Sequence, residues 1–263
     1  MSNYDSAVTY SSYLGVDELL NLQRLASEGP EHDEMLFIII HQTYELWFKQ
    51  ILHELYFLQA NLESGDTYKC LATLGRVRTI LKVCVAQVDI LETMTPRQFN
   101  SFRQFLASSS GFQSAQFREF EAVLGRRDSR MAGHLPPEAQ AKIAKITAGR
   151  SVWDSTLVYL SKRKYQIPSQ YLSRDFSEGY EPNKEVQDIL IEIHLHDSET
   201  AILCERLVDI DEGVQEWRYR HVKMVERTIG RKTGTGGSSG VEYLNTTVSH
   251  PVFRDLWAIR DRL

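Results

Sequence analysis

The sequence predicts an all-α fold, a single large helical domain over residues 1–263 with a pocket between its central helices. Three observations carry that prediction. Apolar residues recur at three- and four-residue steps over long segments, which is the period of a buried helix face. No stretch alternates with period two as a half-buried strand would. Glycine and proline fall between the periodic segments more than inside them, as at Gly29-Pro30, Gly65, Pro96, Gly111 and Pro182. With 263 residues and 42% hydrophobic content, the chain can bury a substantial core.

Composition also excludes several functions. A net charge of −5 argues against nucleic acid, which favours a strongly basic face. Cys70, Cys84 and Cys204 are widely spaced, so neither a disulfide framework nor a thiolate zinc site is indicated. A reducing cytoplasm is the expected setting. Met1 to Asp5 has no basic or apolar leader pattern, and no apolar run approaches the roughly 20 residues a membrane span needs. A soluble protein with no membrane partner is expected.

Taken in order, the chain opens with an arm, residues 1–15, that carries Tyr10, Tyr13 and Leu14. This much aromatic surface is seldom left in water, so the arm folds back or inserts into a neighbour. A short amphipathic helix is expected over 16–26. The most apolar segment follows, Met35-Leu36-Phe37-Ile38-Ile39-Ile40-His41-Gln42-Thr43-Tyr44-Glu45, continuing to about Leu62 without a breaker. Only a helix of several turns explains that length, and a helix apolar on nearly every side runs through the middle of a fold. His41 interrupts its greasiest part. It is either a core histidine bonded to Glu45 or a backbone carbonyl, or part of a site. Residues 63–66 read as a turn and 67–93 as a second long helix.

Thr95-Pro96 supplies an N-cap and a first-turn proline for the next helix, whose Phe99 and Arg103 share one face. Arg103 either snorkels to the surface or forks onto a carboxylate. Another helix is expected over 112–124. Residues 125–182 read as a peripheral excursion, with a modest helix after Pro136-Pro137, a helical stretch at 151–160 and a loop from 165. A long helix follows over 183–209. It contains His194 and His196, whose spacing sends them to different faces. Asp211-Glu212 is expected to open a new helix, and Val252 to Leu263 to form the last.

The helix opened at Asp211 has Val214, Trp217, His221, Val225 and Thr228 on one face, so a neutral imidazole points inward from an apolar stripe. Arg218, Arg220 and Lys223 fall on its other sides, and Gly230 is placed to end it as a left-handed cap. Gly234-Thr235-Gly236-Gly237-Ser238-Ser239-Gly240 follows. It lacks the ending of a phosphate-binding loop, and no strand precedes it. Its glycines suit a close approach of main chain and hydroxyls to a bound polar group.

Two inward histidines in an all-α core limit the chemistry. A carboxylate-bridged di-iron site needs Glu-x-x-His, and no Glu in this chain has a His three residues later. Zinc is equally unsupported. A haem fits better, with one imidazole on the iron, the second His across the ring and aromatic helices as walls. Without Cys-x-x-Cys-His it would be held non-covalently.

The segments Phe37 to Lys49, Leu91 to Pro96, Ser109 to Ser114, Trp217 to His221 and Gly234 to Gly240 resemble those of the tryptophan 2,3-dioxygenase family, from about Tyr10 to the C-terminus and most weakly over 125–182. The resemblance implies a haem b whose iron is ligated by His221, with Ser110 and Gly234 beside the cofactor, and O2 as co-substrate. It makes His41 the catalytic partner of the indole N–H, Phe37 and Phe99 walls of the indole pocket, and Arg103 and Thr235 the contacts of the substrate's carboxylate and ammonium. Tyr10, Tyr13 and Leu14 match an arm that closes the pocket of an adjacent subunit in a homotetramer. The implied reaction is insertion of O2 across the indole C2=C3 bond of L-tryptophan to give N-formylkynurenine, the entry to tryptophan catabolism. Phe99, where some relatives have tyrosine, and Val88, where an aromatic is expected, keep open a monooxygenase of a substituted indole. A non-catalytic haem-binding or helical oligomeric protein is the alternative of another class.

Overall fold

The computed structural model describes residues 8–107, 109, 111–128, 131–230, 232, 244–245 and 248–263, with Phe112 as backbone only. Among these residues there is no strand. Two short helices, α1 (Tyr10–Leu14) and α2 (Val16–Leu20), make the arm. The helix expected over 16–26 is thus shorter. After it the backbone N–H groups of Ala26 and Ser27 donate to the buried Glu34 carboxylate at 2.6 and 3.1 Å, and Gln23 donates to Gln42 at 2.6 Å. These side-chain bonds replace a helical ladder and fasten the arm to the next helix.

That helix, α3 (His32–Ser64), ends at Gly65, whose φ of 90° is the left-handed conformation glycine adopts without strain. Asp66 then accepts from Lys69 N at 3.0 Å and starts α4 (Thr67–Leu91). A short α5 (Pro96–Arg103) is opened by the Thr95–Gln98 capping box, with Pro96 inside the first turn as expected. Helix α6 (Ala115–Leu124) is capped by Ser114. Then come α7 (Pro137–Thr147), α8 (Val152–Lys162), the four-residue α9 (Ser169–Leu172), α10 (Lys184–His196), α11 (Ser198–Ile229) and the terminal α12 (Arg254–Ala258).

The main core lies where α3, α4, α8, α10 and α11 meet, with Leu55, Leu58 and Leu62 against Leu74 and Val77, Leu157 and Leu160, Leu190 and Ile193, and Leu203 and Leu207. Each side chain is buried, and truncating one such leucine to alanine costs about 2–5 kcal/mol. Helix α4 packs against both α3 and α11, which holds the two histidine-bearing helices on either side of it.

Three differences from the sequence expectation have physical causes. The stretch 125–182 is not uniformly peripheral, because α8 carries the fully buried Val152, Leu157, Tyr159 and Leu160 into the core. The break near 209–211 is absent, and α11 runs unbroken from Ser198. The interruption is instead at Asp197, whose side chain caps α11 by accepting from Thr200 N at 3.1 Å and also receives Tyr165 Oη at 3.0 Å. The residues that look like a helix start make tertiary contacts instead. The fully buried Asp211 accepts from Val252 N, Phe253 N and Trp257 Nε1 at 2.8, 3.0 and 2.9 Å, which ties the chain end to α11. At Gly213 an added Cβ would stand 3.3 Å from Leu81 Cδ1, so the glycine allows α11 to approach α4 closely. Gly230 ends α11 as expected, but at φ 62° and ψ −137°, outside the left-handed helical region.

Candidate active site

One face of α3 and one of α11 border a common cavity, closed further by α4, α5 and α6. From α3, His41 Nδ1 donates to the Phe37 carbonyl at 2.7 Å. A carbonyl can only accept, so the proton sits on Nδ1 and Nε2 keeps its lone pair. The loop at Gly111 is the near neighbour of that nitrogen, since a Cβ there would stand 3.9 Å from it. Burial lowers the His41 pKa, and the opposing pull of the Phe37 carbonyl and of Glu45 does not restore it, so the ring is neutral at pH 7. The Phe37 ring lies 4.1 Å from the imidazole, 5.8 Å from Phe99 and 5.6 Å from Phe102, centroid to centroid. This aromatic corner is built by α3 and the capped α5. Arg103 stands in the last turn of α5, where its charge also favours the helix C-terminus, and it is half-buried on the cavity wall.

From α11, the His221 ring stacks on Trp217 with centroids 5.1 Å apart and planes within 7°. Trp217 packs in turn against Phe117 of α6 at 4.7 Å and edge-on to Phe48 of α3 at 6.0 Å. The aromatic packing fixes the imidazole's orientation without a hydrogen bond, and neither His221 nitrogen has a partner among the described residues. Burial first, then the neighbouring His41 and Arg118, push its pKa down to about 4. The two imidazoles border the same space.

At another part of the cavity wall, Glu121 of α6 is only 2% exposed and pairs with three guanidinium groups. Arg118 contacts it from one turn away, Arg126 at 2.8 Å and Arg218 of α11 at 2.7 Å. Burial alone would raise the Glu121 pKa, and the three arginines overcome it, so the carboxylate is ionised and its pKa lies below the ordinary value. Glu45, one turn beyond His41, is also engaged: the Gln116 amide donates to its backbone carbonyl at 2.9 Å and to its carboxylate at 2.8 Å. That bond holds the start of α6 against α3. The intervening loop leaves α5 through Ala107 at φ 47°, a strained conformation for a residue with a Cβ, of order 1–3 kcal/mol.

The donor set fits a haem. A neutral imidazole offers an unengaged lone pair to a cavity walled by Phe37, Phe48, Phe99, Phe117 and Trp217, and Arg118 and Arg218 bring guanidinium groups to its wall. No group of three or more His, Cys, Asp or Glu able to hold a bare metal ion occurs among the described residues.

The family model described as tryptophan 2,3-dioxygenase matches residues 2–134 and 196–263. A tryptophan 2,3-dioxygenase of Anaeromyxobacter sp. (strain K) is 56% identical over 265 residues, covering 100% of this chain and 98% of the relative. The chain belongs to the tryptophan 2,3-dioxygenase family. Family members of the same name from Herpetosiphon aurantiacus and Caulobacter vibrioides are 54% and 42% identical, each over 97% of this chain and 98% of their own length.

Of the residues singled out as a tryptophan 2,3-dioxygenase site, His41, Phe37, Phe99, Arg103 and His221 border the one cavity. Tyr10, Tyr13 and Leu14 do not border it and are exposed, the two tyrosines at 77% and 78%. Ser110, Gly234 and Thr235 lie outside the described residues. Sequence reasoning put Arg218 on an outer side of its helix, whereas it is 6% exposed and faces the cavity. The correction has a simple cause: the apolar stripe is read from apolar residues, and an arginine whose charge is met by a buried carboxylate joins the inner face unseen. Arg118, Glu121 and Gln116 were missed for the same reason. A faint signal existed in Arg118 and Glu121, an i, i+3 pair between Phe117 and Phe120.

Proposed function

We propose that the chain is a haem-dependent tryptophan 2,3-dioxygenase that inserts both atoms of O2 across the indole C2=C3 bond of L-tryptophan, giving N-formylkynurenine. The observation that carries the reading is the convergence of two neutral imidazoles, His41 and His221, on one apolar cavity bordered by Arg103. His221 would hold haem b without covalent attachment, and the haem would supply the binding and activation of O2. The chain's own residues orient the ring and exclude water. His41 Nε2, with its lone pair free, accepts the indole N–H. Phe37 and Phe99 flank the aromatic plane, and Arg103 engages the substrate carboxylate as a fork.

The roles of Thr235 on the substrate's polar groups, and of Ser110 and Gly234 beside the cofactor, rest on the family resemblance. So does a homotetramer in which Tyr10, Tyr13 and Leu14 cover a neighbour's pocket. The exposure of all three supports it, as apolar side chains on a helical arm are costly in water. A cytoplasmic enzyme is consistent with three free, buried cysteines. No helix among the described residues is long and apolar enough to cross a membrane.

The test is turnover of reduced, haem-loaded protein with L-tryptophan under 18O2, read by mass spectrometry. Two labelled oxygens in the product are expected. A single label would overturn dioxygenation in favour of single-oxygen insertion, and no indole-dependent oxygen uptake would overturn the enzyme.

A further inference from the structure

His41 and His194 begin from the same bond. In each, Nδ1 donates to the carbonyl four residues earlier at 2.7 Å, that of Phe37 for His41 and that of Leu190 for His194. Nε2 is left to its surroundings, and there the two differ. His194 Nε2 lies 2.9 Å from the Glu205 carboxylate, which holds it even while receiving Arg260 at 2.8 Å. A ring with an acceptor at each nitrogen donates from both and has no lone pair to offer. His41 also has a glutamate in range, because Glu45 stands one helical turn away and borders the same cavity. Its charge opposes the burial that lowers the His41 pKa.

Yet the Glu45 carboxylate is turned to α6 instead. Gln116, in the first turn of that helix, uses both amide hydrogens on this one residue, on the carboxylate at 2.8 Å and on the backbone carbonyl at 2.9 Å. Two bonds to one residue fix the side chain as well as the helix that carries it. The other carboxylate on the wall among the described residues, Glu121, is held by Arg118 and Arg218, so Glu45 is the anion with a path to Nε2. We propose that Gln116 is a positioning residue: its clamp on Glu45 keeps that carboxylate from His41 Nε2 and so reserves the nitrogen as the acceptor of the substrate's indole N–H. The proposal rests on the substrate pose given above. Gln116 does not border the cavity and acts through Glu45.

The experiment measures dissociation constants of the full-length, haem-loaded protein for L-tryptophan and for the analogue with sulfur in place of the ring N–H, whose ratio reads the acceptor alone. The wild type should favour L-tryptophan by roughly fivefold or more. Gln116→Leu keeps the bulk and removes both donors, so Glu45 should take Nε2 and bring the ratio to within about threefold of one. Adding Glu45→Leu should restore it to within about threefold of the wild-type value, since no carboxylate is left to compete. A Gln116 that merely braces α6 against α3 predicts the reverse: the double variant loses at least as much as the single one. That result sinks the proposal, and so does an unchanged ratio in Gln116→Leu. Should Gln116→Leu not fold, Gln116→Met removes the same donors on a flexible chain and carries the same expectations. Glu45→Leu alone should keep the ratio, and its loss would contradict the proposal whichever Gln116 variant folds. A wild-type ratio near one overturns the acceptor role of His41 and the substrate pose with it, whereas a discriminating wild type with an unresponsive Gln116→Leu overturns the clamp and leaves the pose standing.

Discussion

His41→Ala tests the geometry most directly, because the structure assigns its two ring nitrogens different tasks. Nδ1 is held by the Phe37 carbonyl at 2.7 Å, so only Nε2 faces the cavity, as an acceptor. Removing it deletes a neutral hydrogen bond, about 0.5–1.5 kcal/mol, and leaves a buried indole N–H unsatisfied, about 1–3 kcal/mol. The expected coupling is therefore about 1–3 kcal/mol, or roughly 5- to 150-fold in affinity. The assay is a cycle of two proteins and two ligands. Wild type and His41→Ala are each titrated with L-tryptophan and with the analogue in which sulfur replaces the ring N–H. The wild type should discriminate against the analogue by that factor, and the variant should not. The variant should keep the haem, since on the proposed reading His221 would hold it. A coupling below about 0.5 kcal/mol, the usual error of additivity, would refute an acceptor role for Nε2.

Two further outcomes follow from buried groups. Asp211→Ala orphans three donors that meet at a buried carboxylate, Val252 N, Phe253 N and Trp257 Nε1, and should cost about 3–5 kcal/mol in urea denaturation. Asp211→Asn keeps an acceptor and should cost about 1–2 kcal/mol, and an alanine variant within 1 kcal/mol of wild type would show the tether to be idle. For His221, burial depresses the folded pKa from 6.5 to about 4, so protons bind the unfolded chain first as pH falls. The contribution is absent above pH 6.5 and destabilises the haem-free protein progressively down to about pH 4, by about 3 kcal/mol in all. His221→Leu should abolish that part of the pH dependence, and identical profiles for variant and parent over this window would contradict a buried neutral ring.

What could be read in the sequence depended on whether apolar period was the deciding force. Over residues 32–64 it was, and the long central helix with an inward His41 stands where it was expected. The turn at Gly65 and the Thr95-Pro96 start were legible because capping chemistry is local. Asp211 misled because a carboxylate signals a helix start when nothing else is known. Here it meets Val252, a partner 41 residues away in the chain. The same limit hid the Glu121 cluster. A buried charge is intelligible only with its counter-charges, and Arg218 comes from a helix 97 residues further on. The exposed arm was the opposite case, since Tyr10 and Tyr13 announced an apolar surface that stays exposed among the described residues.

The three thiols offer a last consequence. Cys70 and Cys84 belong to α4 and Cys204 to α11, two of the helices that border the pocket, and all are fully enclosed and free. Enclosure pushes each pKa up to about 12, so almost no thiolate exists at neutral pH while the helices stay together. A thiol-specific reagent therefore records each parting of that pair, a clock already wound into the native chain. Porphyrin seated in the cavity that both helices help to wall should slow the clock, and its rate would report occupancy in a sample too dilute or too turbid for a Soret spectrum.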